Sequence, residues 1–239
     1  MNEQMNAPTP ALPPPSGVSE WFSVWRDAVT KPNEQTFSRI ALSPNAKLTT
    51  ALLWVFLGAL VSSFLTSLVP NPFLTQMMQN YNFDTTQFGG GAGAFVIRVI
   101  CGAPIAAAIA VVFFVIGVGI VHLLAKMFGG RGTFDQLAYT MAAIQTPFAL
   151  VTGVLGLLSA IPFVGLCFGL VSLVLLVYVV VLAVMAVKGV NQFGWGQAAA
   201  SLLLPVLVFC CCLSVGAFAI ARMISTNMPG GFPFPTPAP

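Results

Sequence analysis

The sequence predicts an all-α integral membrane protein: a bundle of five transmembrane helices with a short N-terminal interfacial helix and disordered Pro-rich tails. Of the 239 residues, 57% are hydrophobic and only 6% are charged, whereas soluble domains carry about 25% charged residues. Uncharged apolar stretches long enough to cross a bilayer recur along the chain. Both ends are rich in proline, which favours disorder. A chain this apolar cannot cover a surface that faces water, so lipid must be its main solvent.

The charge-poor stretches divide the chain into four parts. Residues 1–17 are predicted to be a disordered tail, and residues 18–47 a cytoplasmic segment with an interfacial helix. Residues 48–222 form the membrane domain, and residues 223–239 a Pro/Gly-rich extracytoplasmic tail. The five predicted spans cover about 48–69, 99–125, 136–160, 163–187 and 198–221.

The boundary between the third and fourth spans depends on length, because residues 136–187 contain no charge over 52 positions. At about 1.5 Å per residue, this stretch far exceeds one crossing of a core about 30 Å thick. A turn around Pro162 is therefore expected to make a tight hairpin. Span three is predicted to start at a capping box, in which Thr133 and Gln136 each bond the backbone N–H of the other.

Lysine and arginine counts predict the orientation, because these residues accumulate in cytoplasmic loops. With five spans, Arg98 and Arg222 lie on one side and the other seven on the side of the N-terminus. We therefore expect a multi-pass plasma (inner) membrane protein with a cytoplasmic N-terminus and an extracytoplasmic C-terminus. The seven are Arg26, Lys31, Arg39, Lys47, Lys126, Arg131 and Lys188.

Four apolar residues before the first span share one side of a short predicted helix. Trp21, Val24, Trp25 and Ala28 recur at helical spacing. This pattern predicts an amphipathic helix on the membrane surface, with Trp21 and Trp25 as anchors at the headgroup level. The alternative is a helix packed on the protein's own cytoplasmic loops.

Polar residues inside the predicted spans are candidates for function. His122 is either a proton relay or a neutral imidazole bonded to a neighbouring helix. Pro147 removes a backbone hydrogen bond, and Gln145 or Thr146 is expected to satisfy the freed groups. This break either contacts a substrate, as in transporters, or is a kink that shapes the bundle.

Two glycines in the fourth span, Gly165 and Gly169, form a small-xxx-small pair that favours close helix packing. The contact is either within the chain or between two copies.

The residue patterns of common enzyme classes are missing from the sequence. His122 is the single histidine, no Cys-x-x-Cys or Gly-x-Ser-x-Gly occurs, and no Walker-type loop is present. We therefore predict a protein that is not an enzyme and has no cofactor and no metal site. The net charge of +3, without a basic patch, excludes a typical nucleic-acid-binding protein.

Short glycine and proline motifs recur between the predicted helices. Lys31-Pro32 and Phe37 follow the tryptophan helix, Gly129-Gly130-Arg131-Gly132-Thr133-Phe134 leads into the span with Thr146-Pro147, and Lys188-Gly189-Val190 precedes a span opened by Gln197-Ala198. Over about residues 20–222 this layout resembles the Ypt-interacting-protein (YIP) family, in its bacterial branch. The resemblance implies a five-span membrane protein. Eukaryotic members contact prenylated Rab-type GTPases in vesicle trafficking.

One departure from the family pattern concerns that partner. The eukaryotic members carry an Asp-Leu-Tyr-Gly-Pro-like motif before the first span, whereas this chain has Ser43-Pro44-Asn45-Ala46-Lys47 there. The difference speaks against a Rab-type GTPase. The expected partners are the lipid bilayer, membrane or cytoplasmic proteins and, as a further possibility, a second copy of the chain.

Two functions from different classes fit the sequence. The first is a membrane-organising or adaptor protein of YIP type, which acts through helix–helix and protein–protein contacts. The second is a small permease or channel-like subunit. Internal repeats and charges inside the membrane, which are typical of transporters, do not occur in the predicted spans, and their absence favours the first.

Overall fold

The structure, a computed structural model of the chain, describes residues 17–68, 96, 98–158 and 164–227. Over these ranges the chain forms seven α-helices and a π-helical turn, and no strand. The helices are α1 (Val18–Thr30), α2 (Glu34–Ala41), α3 (Leu48–Ser67), α4 (Ala103–Met127), α5 (Phe134–Leu158), α6 (Val164–Asn191) and α7 (Trp195–Asn227), and the π turn (Arg98–Gly102) leads into α4. Within the described part, α3 to α7 are each long and apolar enough to cross a membrane. The predicted all-α fold with five spans is therefore confirmed.

The helix ends follow local chemistry. Helix α1 stops one residue before Lys31, since a residue that precedes a proline avoids the helical conformation. The predicted capping box is present at α5: the Thr133 N–H donates to Gln136 Oε1 at 3.0 Å, and the Gln136 N–H donates to Thr133 Oγ1 at 3.3 Å. Helix α6 ends at Asn191 because Gln192 takes a left-handed φ of 55°.

Two helices extend beyond the bounds predicted for their spans. Helix α6 continues past residue 187 to Asn191 and therefore includes Lys188 and Gly189. Both of these residues contact α2. Helix α7 begins before residue 198 and runs to Asn227, past the predicted end at 221. The predicted boundaries followed the charged and polar residues, which end a hydrophobic run without ending a helix. The expected Pro-rich tails and the 159–163 turn lie outside the described residues.

The five spans contact one another in a closed order. Helix α3 packs on α5, α5 on α6, α6 on α7, α7 on α4, and α4 returns to α3. The α3–α5 contact is the closest, because small residues face each other there. A Cβ added to Gly58 would lie 3.0 Å from Thr146 Cγ2, and one added to Gly153 would lie 2.9 Å from Ser62 Cα.

The tightest packing lies at one end of this ring. Helices α1 and α2, together with the ends of the spans that they contact, form a region that we call the basal layer. Residues 137–144 of α5 are buried without interruption there, which means that protein surrounds this helix on every side. The opposite end, where α5 ends at Leu158 and α6 begins at Val164, is called the distal end.

Candidate functional site

A groove of about 1480 Å³ opens on the surface of the basal layer. It lies between α2, the end of α6 and the segment that follows α6. We call it the basal groove; its lining includes Glu34, Gln35, Leu42, Lys188, Gln192 and Phe193. Its size is that of a binding site, since ligand pockets commonly exceed about 300 Å³.

Helix α2 forms one wall and is held in place at both of its ends. The Asn33 side chain caps the helix by accepting from the Thr36 N–H at 2.7 Å. The first turn then places the Glu34 carboxylate in an ion pair with the Lys188 ammonium group of α6. One turn further, Ser38 Oγ donates to the carbonyl oxygen of Gly189 at 2.7 Å.

Glycine at position 189 permits this close approach. A Cβ added there would lie 2.9 Å from the Glu34 carbonyl oxygen and 3.0 Å from Phe37 Cβ. The Glu34 oxygen belongs to helix backbone, which cannot move aside as the end of a side chain can. A larger residue would therefore separate α2 from α6.

A second set of charges joins α1 to α2. The Asp27 side chain is only 17% exposed, and it accepts from Arg39 Nη2 at 2.9 Å and lies 3.6 Å from Lys31 Nζ. The Glu20 carboxylate accepts two bonds from Asn45 Nδ2, at 2.8 and 2.9 Å. Asp27 thus fixes α1 to α2, and Glu20 fixes α1 to the segment that follows α2.

Every charged residue that lines the described part of the basal groove therefore has a partner within the protein. Arg39 pairs with Asp27, Lys188 pairs with Glu34, and Glu20 accepts from Asn45. The groups left to a ligand are the amides of Gln35 and Gln192, both exposed, and the apolar side chains of Phe193 and Leu42. Leu42 is 70% exposed.

The glycine-rich loop before α5 also serves the basal layer. The Arg131 N–H donates to the Asn191 carbonyl oxygen at 3.2 Å. A Cβ added to Gly130 would lie 2.6 Å from Asn191 Oδ1, and one added to Gly132 would lie 2.5 Å from Val190 Cγ1. The glycines thus allow the loop to lie against the end of α6, where Arg131 lines a smaller cavity of about 180 Å³.

The predicted membrane anchors pack on the protein itself. The Trp21 and Trp25 rings meet the Trp54 ring edge to face, at 6.0 and 5.6 Å between centroids. Trp54 is fully buried and also packs on Tyr139. The rings thus pack on α3 and α5, two of the spans, and not on the cytoplasmic loops that the alternative named. Helix α1 turns Val18 and Phe22 outward, each 60% exposed, and contact of Trp21 and Trp25 with the bilayer surface stays a prediction.

The structure does not bring the four polar or kink positions together. The His122 ring packs edge to face on Phe134, 5.7 Å between centroids, at the basal end of α4. Helix α5 continues through Pro147. Thr146 is buried against Gly58, and its Oγ1 has no hydrogen-bond partner among the described residues, the backbone group that Pro147 frees included. Gln145 is exposed on a different side of α5.

The predicted close contact at Gly165 and Gly169 is not made within the described chain at Gly169. That residue is exposed, and a Cβ added there meets no described atom within 4 Å. Gly165 is half-buried. Contact with a second copy stays a prediction. The close helix contacts occur instead at Gly58 and Gly153, which sequence reasoning missed.

A profile of the Yip1 domain matches residues 26–216 of the chain. No curated protein and no solved structure matches it. The matched region contains the five candidate spans, α2 and the last turn of α1. It covers well over half of the sequence, so the chain is a multi-pass membrane protein that belongs to the Yip1 domain family.

Proposed function

We propose that this protein is a non-enzymatic membrane-organising or adaptor protein that binds a partner protein in the basal groove. The observation that carries the proposal is the groove's combination of rigid walls with a neutral lining. The Lys188–Glu34 ion pair and the Ser38 bond hold α2 on α6, and the Arg39–Asp27 pair holds α2 on α1. What the groove offers a ligand is amides and apolar side chains.

These groups favour a peptide segment over a small charged molecule. Glutamine amides donate and accept hydrogen bonds in the same manner as a peptide backbone, and Gln35 and Gln192 both line the groove. Leu42 and Phe193 supply apolar contacts for side chains. A phosphate or carboxylate ligand would need an arginine or lysine free of other contacts, and the Arg39 and Lys188 cations are already paired.

Orientation is part of the proposal: the basal layer lies in the cytoplasm of a cell with a plasma (inner) membrane. Lys126 and Arg131 are exposed at the basal end, as are Arg26, Lys31 and Arg39. Cationic residues concentrate on the cytoplasmic side of membrane proteins. A groove on that side is accessible to cytoplasmic proteins and to the cytoplasmic parts of other membrane proteins.

Site-specific photocrosslinking in intact membranes tests the proposal. A benzophenone amino acid replaces Gln35 in the groove, and in a matched control it replaces Leu173, which is 58% exposed on α6. We expect an adduct of protein mass from position 35 only, and its loss when Leu42→Asp is added. Equal adducts at both positions, or none at position 35, would contradict the proposal.

A permease or channel-like subunit is the second candidate. One observation favours it: Gln145 is exposed on a membrane-spanning helix, where a polar side chain is costly unless it has a function.

A further inference from the structure

Helix α5 has two exposed faces of different chemistry in its distal half. One face is apolar and is formed by Val151, Val154 and Leu158, as expected for contact with lipid. The other carries Gln145 and Thr152, both exposed and about two helical turns apart. Gln145 and Val154 are about two and a half turns apart, so they point in opposite directions.

The polar face of α5 turns toward the interior of the ring of spans. Phe134 lies about three turns below Gln145 on the same face, and its ring packs on His122 of α4. Ala138 and Met141 lie between them on that face and are buried. The face therefore points toward α4, with α3 on one side and α6 and α7 on the other.

Above this packed region the ring is open. Residues 206–212 of α7 are exposed without interruption. Seven consecutive residues cover about two turns, so every side of α7 carries exposed side chains at this level, including the side toward α5. Gln145 also makes no hydrogen bond to any described residue.

The chemistry of the two faces decides what fills the opening. A side-chain amide without a partner is strongly disfavoured in hydrocarbon, whereas water satisfies it. Thr152 Oγ1 donates to the Phe148 carbonyl oxygen at 2.9 Å and still has lone pairs that accept hydrogen bonds. Lipid is the favourable neighbour of Val154 but not of Gln145.

We propose that Gln145 and Thr152 line a water-filled cleft inside the ring, which opens at the distal end and ends at Ala138 and Met141. The cleft admits small, uncharged molecules that form hydrogen bonds, since none of the stretches 48–67, 103–125, 136–187 and 198–221, which form the ring, contains a charged residue. The inference is independent of the proposed binding in the basal groove, because the two sites lie at opposite ends of the bundle.

Cysteine reactivity in native membranes tests this cleft. Gln145→Cys, Thr152→Cys, Val154→Cys and Ala138→Cys are made one at a time in the full chain and treated with an uncharged hydroxyethyl methanethiosulfonate reagent. Mass spectrometry of the labelled peptides follows each position separately, so the five native cysteines remain in place. Thiols react as thiolates, which form in water and not in hydrocarbon.

We expect the cysteines at 145 and 152 to react at least about tenfold faster than the cysteine at 154, because only the former contact water. The cysteine at 138 should stay unreactive, because Ala138 is fully buried in the packed region where the cleft ends. Equal rates at 145 and 154 would overturn the cleft. So would disulfide-linked dimers through position 145, which would indicate a contact between copies. Because two lining positions are tested, the other variant still tests the cleft if one of them fails to fold.

Reagent charge tests the class of ligand. At position 145, the reaction rate of a cationic trimethylammonium reagent of similar size is compared with that of the uncharged reagent. Each rate is first divided by the rate at which the same reagent reacts with free cysteine in solution. We expect the uncharged reagent to react at least about tenfold faster, because a cation loses hydration in a cleft without counter-charges. Equal normalised rates would overturn the restriction to uncharged molecules.

Discussion

Ser38 Oγ donates a 2.7 Å hydrogen bond to the carbonyl oxygen of Gly189, across 151 positions of sequence. The bond joins α2, which lies outside the spans, to the last turns of α6. The Lys188–Glu34 ion pair lies next to it. The face of α2 that meets α6 therefore makes an ion pair, a neutral hydrogen bond and a close backbone contact with Gly189. These contacts determine where the wall of the basal groove lies.

Gly189→Ala is predicted to lower the free energy of unfolding by about 1–3 kcal/mol, the usual effect of overpacking. The new Cβ would lie 2.9 Å from the Glu34 carbonyl oxygen. Alanine favours a helix over glycine by about 1 kcal/mol, but that gain is smaller than the cost of separating two helices. Thermal unfolding in detergent measures the effect.

Gly169→Ala is the matched control, since it makes the same substitution in the same helix where no described atom lies within 4 Å. It should be neutral or stabilise the protein by up to about 1 kcal/mol. A Gly189→Ala protein as stable as the Gly169→Ala protein would contradict the proposed clamp.

The Glu34–Lys188 pair is predicted to be coupled by about 1 kcal/mol or less, the range for partly exposed ion pairs. Glu34 is 46% exposed at its side chain and Lys188 is 16% exposed. A double-mutant cycle with Glu34→Gln and Lys188→Gln isolates this term. The coupling should fall as salt rises. A coupling near zero at low salt would mean that Ser38 and Gly189 hold α2 without the ion pair.

Trp54→Ala is predicted to destabilise the chain by about 3–5 kcal/mol, as expected for a fully buried tryptophan. The substitution removes the ring that Trp21, Trp25 and Tyr139 share. Because α1 depends on those contacts, a protease should also cleave near Thr30 faster. Phe22→Ala is the control: its side chain is 60% exposed, and it should change stability little. Similar effects of the two substitutions would contradict the aromatic cluster as the anchor of α1.

The sequence was sufficient to predict the spans and the capping box at Thr133 and Gln136, since both depend on hydrophobicity and local hydrogen bonds. It was not sufficient to predict which surface the Trp21 and Trp25 rings bury. An amphipathic pattern identifies an apolar face, but a bilayer and a protein surface are equally good partners for that face. The buried partner, Trp54, lies in a span without charged residues, where nothing in the pattern separates a residue that contacts protein from one that contacts lipid.

The close α3–α5 contact did carry a signal. Gly58, Ser62 and Thr66 recur every four residues in α3, and all three approach glycines or Thr146 of α5. Small residues at this spacing favour helix contact in membranes, as the pair Gly165 and Gly169 does. Spacing alone does not tell which of two such stripes has a partner within the chain, because that depends on the order of helices around the ring.

Topology follows from the proposed orientation. Reporter domains fused after Gly129 and after Gln192 should both lie in the cytoplasm, and a reporter at the C-terminus should lie outside. The first two positions flank the basal layer, and α7 separates the second from the C-terminus. Alkaline phosphatase and fluorescent-protein fusions read the two sides. A cytoplasmic C-terminus would contradict the assignment of α7 as a fifth span.

His122→Gln is predicted to leave both stability and function intact. The imidazole packs on Phe134, and its Nδ1 is buried without a hydrogen-bond partner among the described residues. Glutamine keeps a polar side chain of similar reach but does not titrate near neutral pH.

An adaptor needs only the packing of His122, whereas a proton-coupled permease needs a group that changes its charge, and His122 is the chain's single histidine. His122→Leu should change stability by less than about 0.6 kcal/mol, the average for an interhelical hydrogen bond in a membrane, because the imidazole makes no such bond to the described residues. Thermal unfolding in detergent and rescue of cells that lack the protein measure the two properties. If His122→Gln folds normally and rescues nothing, the adaptor proposal fails and proton-linked transport through the Gln145 cleft becomes the better explanation.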